Sequence, residues 1–268
     1  MPTPDTLATV MDRFPDHRQR YAFALAYAGR RKVADIACGA GYGSKMLGAV
    51  AEHVIGYDID VSVLAHARRH FSANNVCFEH EATIARQTFE LIVSFETIEH
   101  MTASAGDLFL EKLRGAISDH GILIISTPLN RTAHRTNVTP FHLREYNEAE
   151  FSDKLAATGF AVERWFGQGS RVLMMPAFRS YSLGTLLRTR LHRLVPAVIR
   201  RPLVRFLLSP RVGAARGPCD IIPDTLVGAS VQIAVCRPLC SSGAPPAPHA
   251  ALPVGVALDD SSDVLWQI

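Results

Sequence analysis

Two stretches of the chain, 89–95 (FELIVSF) and 121–127 (GILIIST), are nearly continuous in apolar residues over strand length. A strand with one wet face alternates apolar and polar residues. Runs without alternation belong to strands covered on both faces, as in a parallel sheet flanked by helices. Shorter runs at 33–37 and 53–57 read the same way, and a weaker strand is predicted over 76–80. Helical patterns fall between them at 42–51, 61–73 and 105–117, and a further helix is predicted over 18–28, with Tyr21, Leu25 and Ala28 at helical spacing. Strand alternating with helix predicts an α/β, doubly wound sheet.

Beyond Thr127 the chain becomes polar and aromatic as far as Tyr146. Asn147 followed by Glu150 is a capping-box pattern that starts a helix, and Gly159 supplies its stop. Two last strands are expected at 160–166 and 229–236. The stretch between them, 168–228, reads as a helical insertion within a single domain spanning 1–238, and the Pro- and Ala-rich segment 239–268 reads as a mobile tail. The net charge of +3 hides an asymmetry, because Arg171 to Arg216 contains ten arginines and no Lys, Asp or Glu. Leucines within that segment fall at helical spacing. A lid over a substrate site, a membrane-surface contact and a plain solvated face are the competing readings. Nucleic-acid binding is not expected, since stacking aromatics are sparse there.

The remaining composition narrows the class. The 268 residues suffice for a full core without staples. The five cysteines are odd in number, scattered and without a CxxC pair, which fits a reduced, cytoplasmic protein without structural zinc. No apolar run approaches the roughly 20 residues of a spanning helix. The N-terminus has neither the basic start nor the apolar stretch of a secretory signal.

The chemistry is concentrated in Val33-Ala-Asp-Ile-Ala-Cys-Gly-Ala-Gly-Tyr-Gly43, a strand running into a glycine-rich turn with a helix directly behind it. Ligands of open parallel sheets sit outside the carboxyl ends of the strands. Ser44 stands where a dinucleotide fingerprint needs Gly or Ala, and a carboxylate at Asp35 opposes a pyrophosphate while suiting a cationic amine. The second strand ends at Asp58, where a carboxylate accepts hydrogen bonds from ribose hydroxyls. A ribose, a cationic amino end and no phosphate describe S-adenosylmethionine.

This motif resembles motif I of the class I S-adenosylmethionine-dependent methyltransferases, and the resemblance extends from about residue 15 to 167. It is nearest to the ubiquinone-biosynthesis-like branch and to bacterial methyltransferases of glycan and natural-product clusters. Thr127-Pro-Leu-Asn130 and Phe141-His-Leu-Arg-Glu-Tyr146 carry that likeness. It implies a seven-stranded, mostly parallel Rossmann-like sheet in the order 3-2-1-4-5-7-6. It also implies that Asp35, Ala37, Gly39 and Gly41 hold the methionine end, Asp58 the ribose, and Ile59, Glu81 and Ala82 the adenine. Phe95 and Glu96 border the methionine, and Tyr21 with Arg20 closes over the cofactor.

For the acceptor, His100 follows the fourth strand, and His142 and Glu145 lie on the loop after the fifth; these are the candidate catalytic residues, and His134 is a further one. Phe141, Tyr146 and Trp165 are candidates for an apolar wall. Cys38 reads as packing. No metal is expected, because no His, Cys or carboxylate cluster shows ligand spacing. The implied reaction is methyl transfer to O or N of a small molecule, with a quinone or lipid-linked acceptor and a non-catalytic S-adenosylmethionine-binding scaffold as alternatives.

Overall fold

The computed structural model describes residues 15–130, 141–169, 221–226 and 229–239. One sheet organises them. Its strands are β1 (Lys32–Ile36), β2 (His53–Asp58), β3 (Val76–His80), β4 (Phe89–Phe95), β5 (Ile117–Pro128), β6 (Phe160–Gln168), β7 (Ile221–Pro223) and β8 (Val231–Pro238). Their spatial order is β3-β2-β1-β4-β5-β8-β6-β7. The five strands from β3 to β5 run parallel, and β8 enters antiparallel between β5 and β6.

The fold class is the expected one, with a correction in strand number. The sheet has eight strands rather than seven, because Ile221–Pro223 pairs antiparallel with the end of β6. An open edge tolerates a short strand ending in proline, whose missing N–H costs nothing there. A two-pronged ion pair from Arg164 to Asp224, at 2.8 and 2.7 Å, holds the turn after β7. The predicted insertion is thereby trimmed at both ends, since Gln168 belongs to β6 and 221–223 to the sheet. Its Arg-rich body and the tail after 239 lie outside the described residues.

The helices are α1 (Pro15–Ala28), α2 (Tyr42–Leu47), α3 (Val61–Phe71), α4 (Ala103–Ala116) and α5 (Glu148–Ala157). Helix α2 stops four residues short of its predicted end. The Asn75 side chain donates to the carbonyls of Gly48 and Ala51, which tightens the turn into β2. Strand β5 starts earlier than predicted because β-branched Ile117 pairs with Phe89 directly after α4. The capping box at Asn147 is present, with Asn147 Oδ1 accepting from Glu150 N–H at 2.9 Å and Glu150 Oε2 accepting from Asn147 N–H at 3.2 Å.

Successive strand residues feed opposite faces. Val33, Leu91, Val93, Ile122 and Ile124 pack under α1, α2 and α3. Ala34, Ile36, Ile92, Leu123 and Ile125 pack under α4 and α5. Two apolar layers explain why the central strands carry no alternation. They also leave the carboxyl ends of β1, β2, β4 and β5 as the one edge where polar loops gather.

Candidate active site

The turn after β1 holds Ala37, Gly39 and Gly41 in the left-handed region, with φ of 58°, 55° and 93°. At Gly41 a Cβ would lie 2.7 Å from the Ala67 Cβ and 2.8 Å from the Phe78 ring, so that glycine is needed for both packing and conformation. Gly39 differs: nothing lies within 4 Å of where its Cβ would be, so its backbone faces open space. Ala37 is non-glycine in a region that disfavours a side chain, and its methyl is exposed at the same surface.

Asp58 ends β2 beside this turn. Its Oδ2 accepts from Gly39 N–H and its Oδ1 from Asp60 N–H, both at 3.0 Å. A carboxylate has about four acceptor positions, so these two bonds orient it and leave capacity for a ligand. Ile59, directly after it, is 70% exposed.

Under the turn, Asp35 is fully buried, as expected neither for a surface acid nor for one facing a ligand amine. Tyr21 donates its hydroxyl to Asp35 at 3.0 Å and Ser44 donates at 2.6 Å. Burial pushes the Asp35 carboxyl up to about 7, and the two hydroxyl donors only partly offset this. Ser44 therefore occupies the helix-packing position of a dinucleotide loop as a ligand of Asp35.

Helix α1 presses on the turn. A Cβ at Gly43 would fall 2.0 Å from the Tyr21 ring. Tyr21 also meets Phe95 edge-on, with ring centroids 5.1 Å apart. Arg20 donates to Gln168 Oε1 at 2.5 Å, while Gln168 Nε2 donates to the Asp16 carbonyl at 2.9 Å, which ties α1 to β6. His17 bonds the Tyr42 hydroxyl, and burial together with Arg20 lowers its pKa to about 4, so it is neutral near pH 7. Sequence reasoning missed His17, Tyr42 and Gln168. His17, Arg20 and Tyr21 at i, i+3 and i+4 on one helix were the available signal for the first.

The other half of the site hangs on β4 and β5. Glu96 takes φ of 53°, and Ser126 donates its hydroxyl to Glu96 Oε1 at 2.8 Å. Thr127 donates to Glu99 Oε2 at 3.1 Å. Glu99 is wholly buried, its Oε1 has no hydrogen-bond partner, and burial with the adjacent Glu96 charge raises its pKa. The Glu99 carbonyl accepts from Leu143 N–H at 2.7 Å and Arg144 N–H at 3.0 Å, pinning the later loop to this one.

That pinning brings His100, His142 and Glu145 together. His100 Nδ1–H donates to the Phe141 carbonyl at 3.0 Å, and His142 Nδ1 bonds Glu145 Oε1 at 2.7 Å. The two imidazoles stand edge-to-face with centroids 5.0 Å apart.

Other candidates disperse. Glu81 pairs with Lys112 at 2.6 Å, and Ala82 N–H donates to His80 Nδ1 at 3.2 Å. Tyr146 is core. Trp165 lines a separate shallow concavity with Asn147, Glu148 and Asp153. Phe141 alone of the three aromatic candidates is exposed. Cys38 is buried, which raises its thiol pKa and fits packing. His134 lies outside the described residues.

Residues 34–125 match a family model described as a methyltransferase domain. A protein of Mycolicibacterium smegmatis named a probable S-adenosylmethionine-dependent methyltransferase is 32% identical over 159 residues, covering 58% of this chain and 61% of the relative. A similarly named protein of Mycobacterium tuberculosis is 30% identical over 152 residues, 55% of each chain. A ubiquinone biosynthesis O-methyltransferase of Bradyrhizobium diazoefficiens is 28% identical over 118 residues, covering 42% of this chain and 46% of that one. The matched part thus spans about half to three fifths of the length of these relatives. Among solved structures, the DhpI complex with SAH aligns with a TM-score of 0.51 at 15% identity, over 86% of this chain and 88% of that one. The cyclase SpnF aligns with a TM-score of 0.53 at 18% identity, over 82% and 80%. These two share the fold, and a fold alone does not fix a reaction.

Proposed function

We propose that the protein transfers a methyl group from S-adenosylmethionine to oxygen or nitrogen of a small molecule, a natural-product intermediate or a sugar, a reading supported by the match of residues 34–125 to a methyltransferase-domain family model. The observation that carries the reading is the pairing of Asp58 with the open turn: a fixed, half-exposed carboxylate bound to the N–H of Gly39, whose α-carbon faces free space.

The residues present fit the donor. Asp58 offers acceptor positions to vicinal hydroxyls. Exposed Ile59 offers an apolar surface to a flat base, and the backbone of 37–41 lets a ligand approach closely. Asp35 acts through Tyr21 and Ser44, holding α1 against the turn. When bound, S-adenosylmethionine supplies a methyl group already activated by its sulfonium. The protein's task is then largely alignment and exclusion of water. Phe95, Tyr21 and Glu96 border the donor side, while His100, His142 and Glu145 line the acceptor side and handle its proton.

A quinone or lipid-linked acceptor is the second reading, favoured by the ubiquinone-biosynthesis relatives. Among the described residues, no helix is long and apolar enough to cross a membrane. Salt-sensitive sedimentation with anionic liposomes supports that reading, and its absence at low salt removes it. The main proposal is tested by incubating the protein with methyl-labelled donor and a panel of hydroxyl and amine acceptors. Label should appear in product with the native protein and not with Asp58→Ala. Tight donor binding without turnover across the panel would instead identify a scaffold.

A further inference from the structure

We infer that Asp35 tells the methyl donor from its demethylated product by charge: it gives up a proton to solvent when a sulfonium cation occupies the 37–41 turn, and regains it when only the neutral thioether remains. The inference rests on the methyl-transfer reading. Asp35 lies near the end of β1, beneath that turn, and is wholly buried. Among the described residues it makes no ion pair.

Its partners leave its charge open. The Tyr21 hydroxyl lies 3.0 and 3.2 Å from the two carboxyl oxygens, and the Ser44 hydroxyl 2.6 Å from Oδ2. A hydroxyl donates to a carboxylate and accepts from a carboxylic acid, so both forms of Asp35 stay hydrogen-bonded with the packing unchanged. The surroundings then decide. From β2, Gly56 beside it is uncharged and Asp58 opposes ionisation. From β4 the paired residue is Val93. The turn and α2 contribute the Cys38 thiol and the Tyr42 phenol, both pushed up by burial and so neutral. Helix α1 contributes His17, neutral near pH 7, and Arg20, whose guanidinium bonds Gln168. Burial accordingly leaves Asp35 at the midpoint of its titration at about 7. An enclosed acid with no cation of its own is one that a cationic ligand can ionise.

S-adenosylmethionine and SAH carry the same amino and carboxylate groups and differ in one formal charge, on sulfur. A nearby opposite charge lowers a carboxyl's pKa by roughly 1–3, and an enclosed pair is screened less than a surface one. On donor binding the Asp35 O–H bond breaks, the electron pair stays on the carboxylate, and the proton passes to solvent water. Methyl transfer removes the positive charge. The carboxylate then takes a proton back from water, and the attraction that held the ligand is lost. Asp35 thereby sets the preference for donor over product without touching either, and it favours exchange of SAH for fresh donor.

The test is calorimetric titration of the full chain with S-adenosylmethionine and with SAH at pH 6 and 7, each in two buffers of different ionisation enthalpy, which counts protons released per ligand bound. S-adenosylmethionine should release about half a proton at pH 7 and close to one at pH 6, with an affinity about fivefold higher at pH 7. SAH should release less than half as much, and its affinity should change by less than about twofold. Asp35→Asn should abolish the difference in release and narrow the difference in affinity. Ser44→Ala removes a bond that favours the carboxylate, so it should move the proton-release profile to higher pH, which a purely structural role for Ser44 would not do. Equal release by the two ligands, or release that persists in Asp35→Asn, overturns the inference. Binding of S-adenosylmethionine without proton release overturns it and leaves the donor site standing; binding of neither ligand by the folded protein defeats the donor site and the inference together.

Discussion

The Tyr21 hydroxyl reaches the Asp35 carboxylate at 3.0 Å while the same ring lies over Gly43, where a Cβ would approach it to 2.0 Å. One aromatic side chain thus joins helix α1, the end of β1 and the start of α2. The turn that the proposed donor must meet is shaped from below by a fully enclosed acid.

Gly43→Ala is expected to displace Tyr21 and lower stability by about 1–3 kcal/mol, the usual cost of overpacking. Chemical denaturation measures it. Tyr21→Ala should remove most of the extra cost of the alanine, so the two changes should be strongly non-additive. Simple additivity would mean that the ring is not held against residue 43.

The pH dependence separates two buried groups. Asp35 titrates near 7 when folded against 3.8 for the ordinary carboxyl, so folding takes up a proton and this group adds stability as pH falls from about 7 towards 4. His17 has the opposite sign. Its pKa drops from 6.5 to about 4, so the stability of the neutral form is present above 6.5 and lost as pH falls towards 4. Asp35→Asn should therefore leave the His17 loss unopposed. Relative to the native protein, the variant should gain stability at pH 8 over pH 5 by on the order of 2 kcal/mol. Parallel denaturation profiles for the two proteins would contradict this.

Much of the sheet was legible because burial on both faces erases alternation, and no other common element does that with runs as short as Phe89–Phe95. Strand β7 was not, since Ile221–Pro223 is three residues long and owes its place to the edge of β6 and the Arg164–Asp224 pair. The donor half of the site was readable for a related reason: Asp35 through Gly43 is one continuous strand–turn–helix stretch, with Asp58 on the adjoining strand. The acceptor half needed coordinates. Glu99 and His142 are brought together by contacts between the two loops, in which the Glu99 carbonyl captures the N–H groups of Leu143 and Arg144 and His100 donates to the Phe141 carbonyl, and these leave no spacing in the chain.

Ala37 offers a reversed expectation. Alanine to glycine normally costs up to about 1 kcal/mol, but at φ of 58° glycine is the better fit. Ala37→Gly should be neutral or stabilising by up to about 1 kcal/mol in equilibrium denaturation. A clear loss of stability would show that residue 37 is not left-handed.

Calorimetric titration of SAH into the native protein and into Asp58→Ala tests the central claim most directly. The account predicts one site in the native protein and an affinity loss of roughly 10- to 100-fold in the variant, about 1.4–3 kcal/mol. No binding by the folded native protein, or equal binding by both, would contradict the assignment of the 37–41 turn and Asp58 as the donor site.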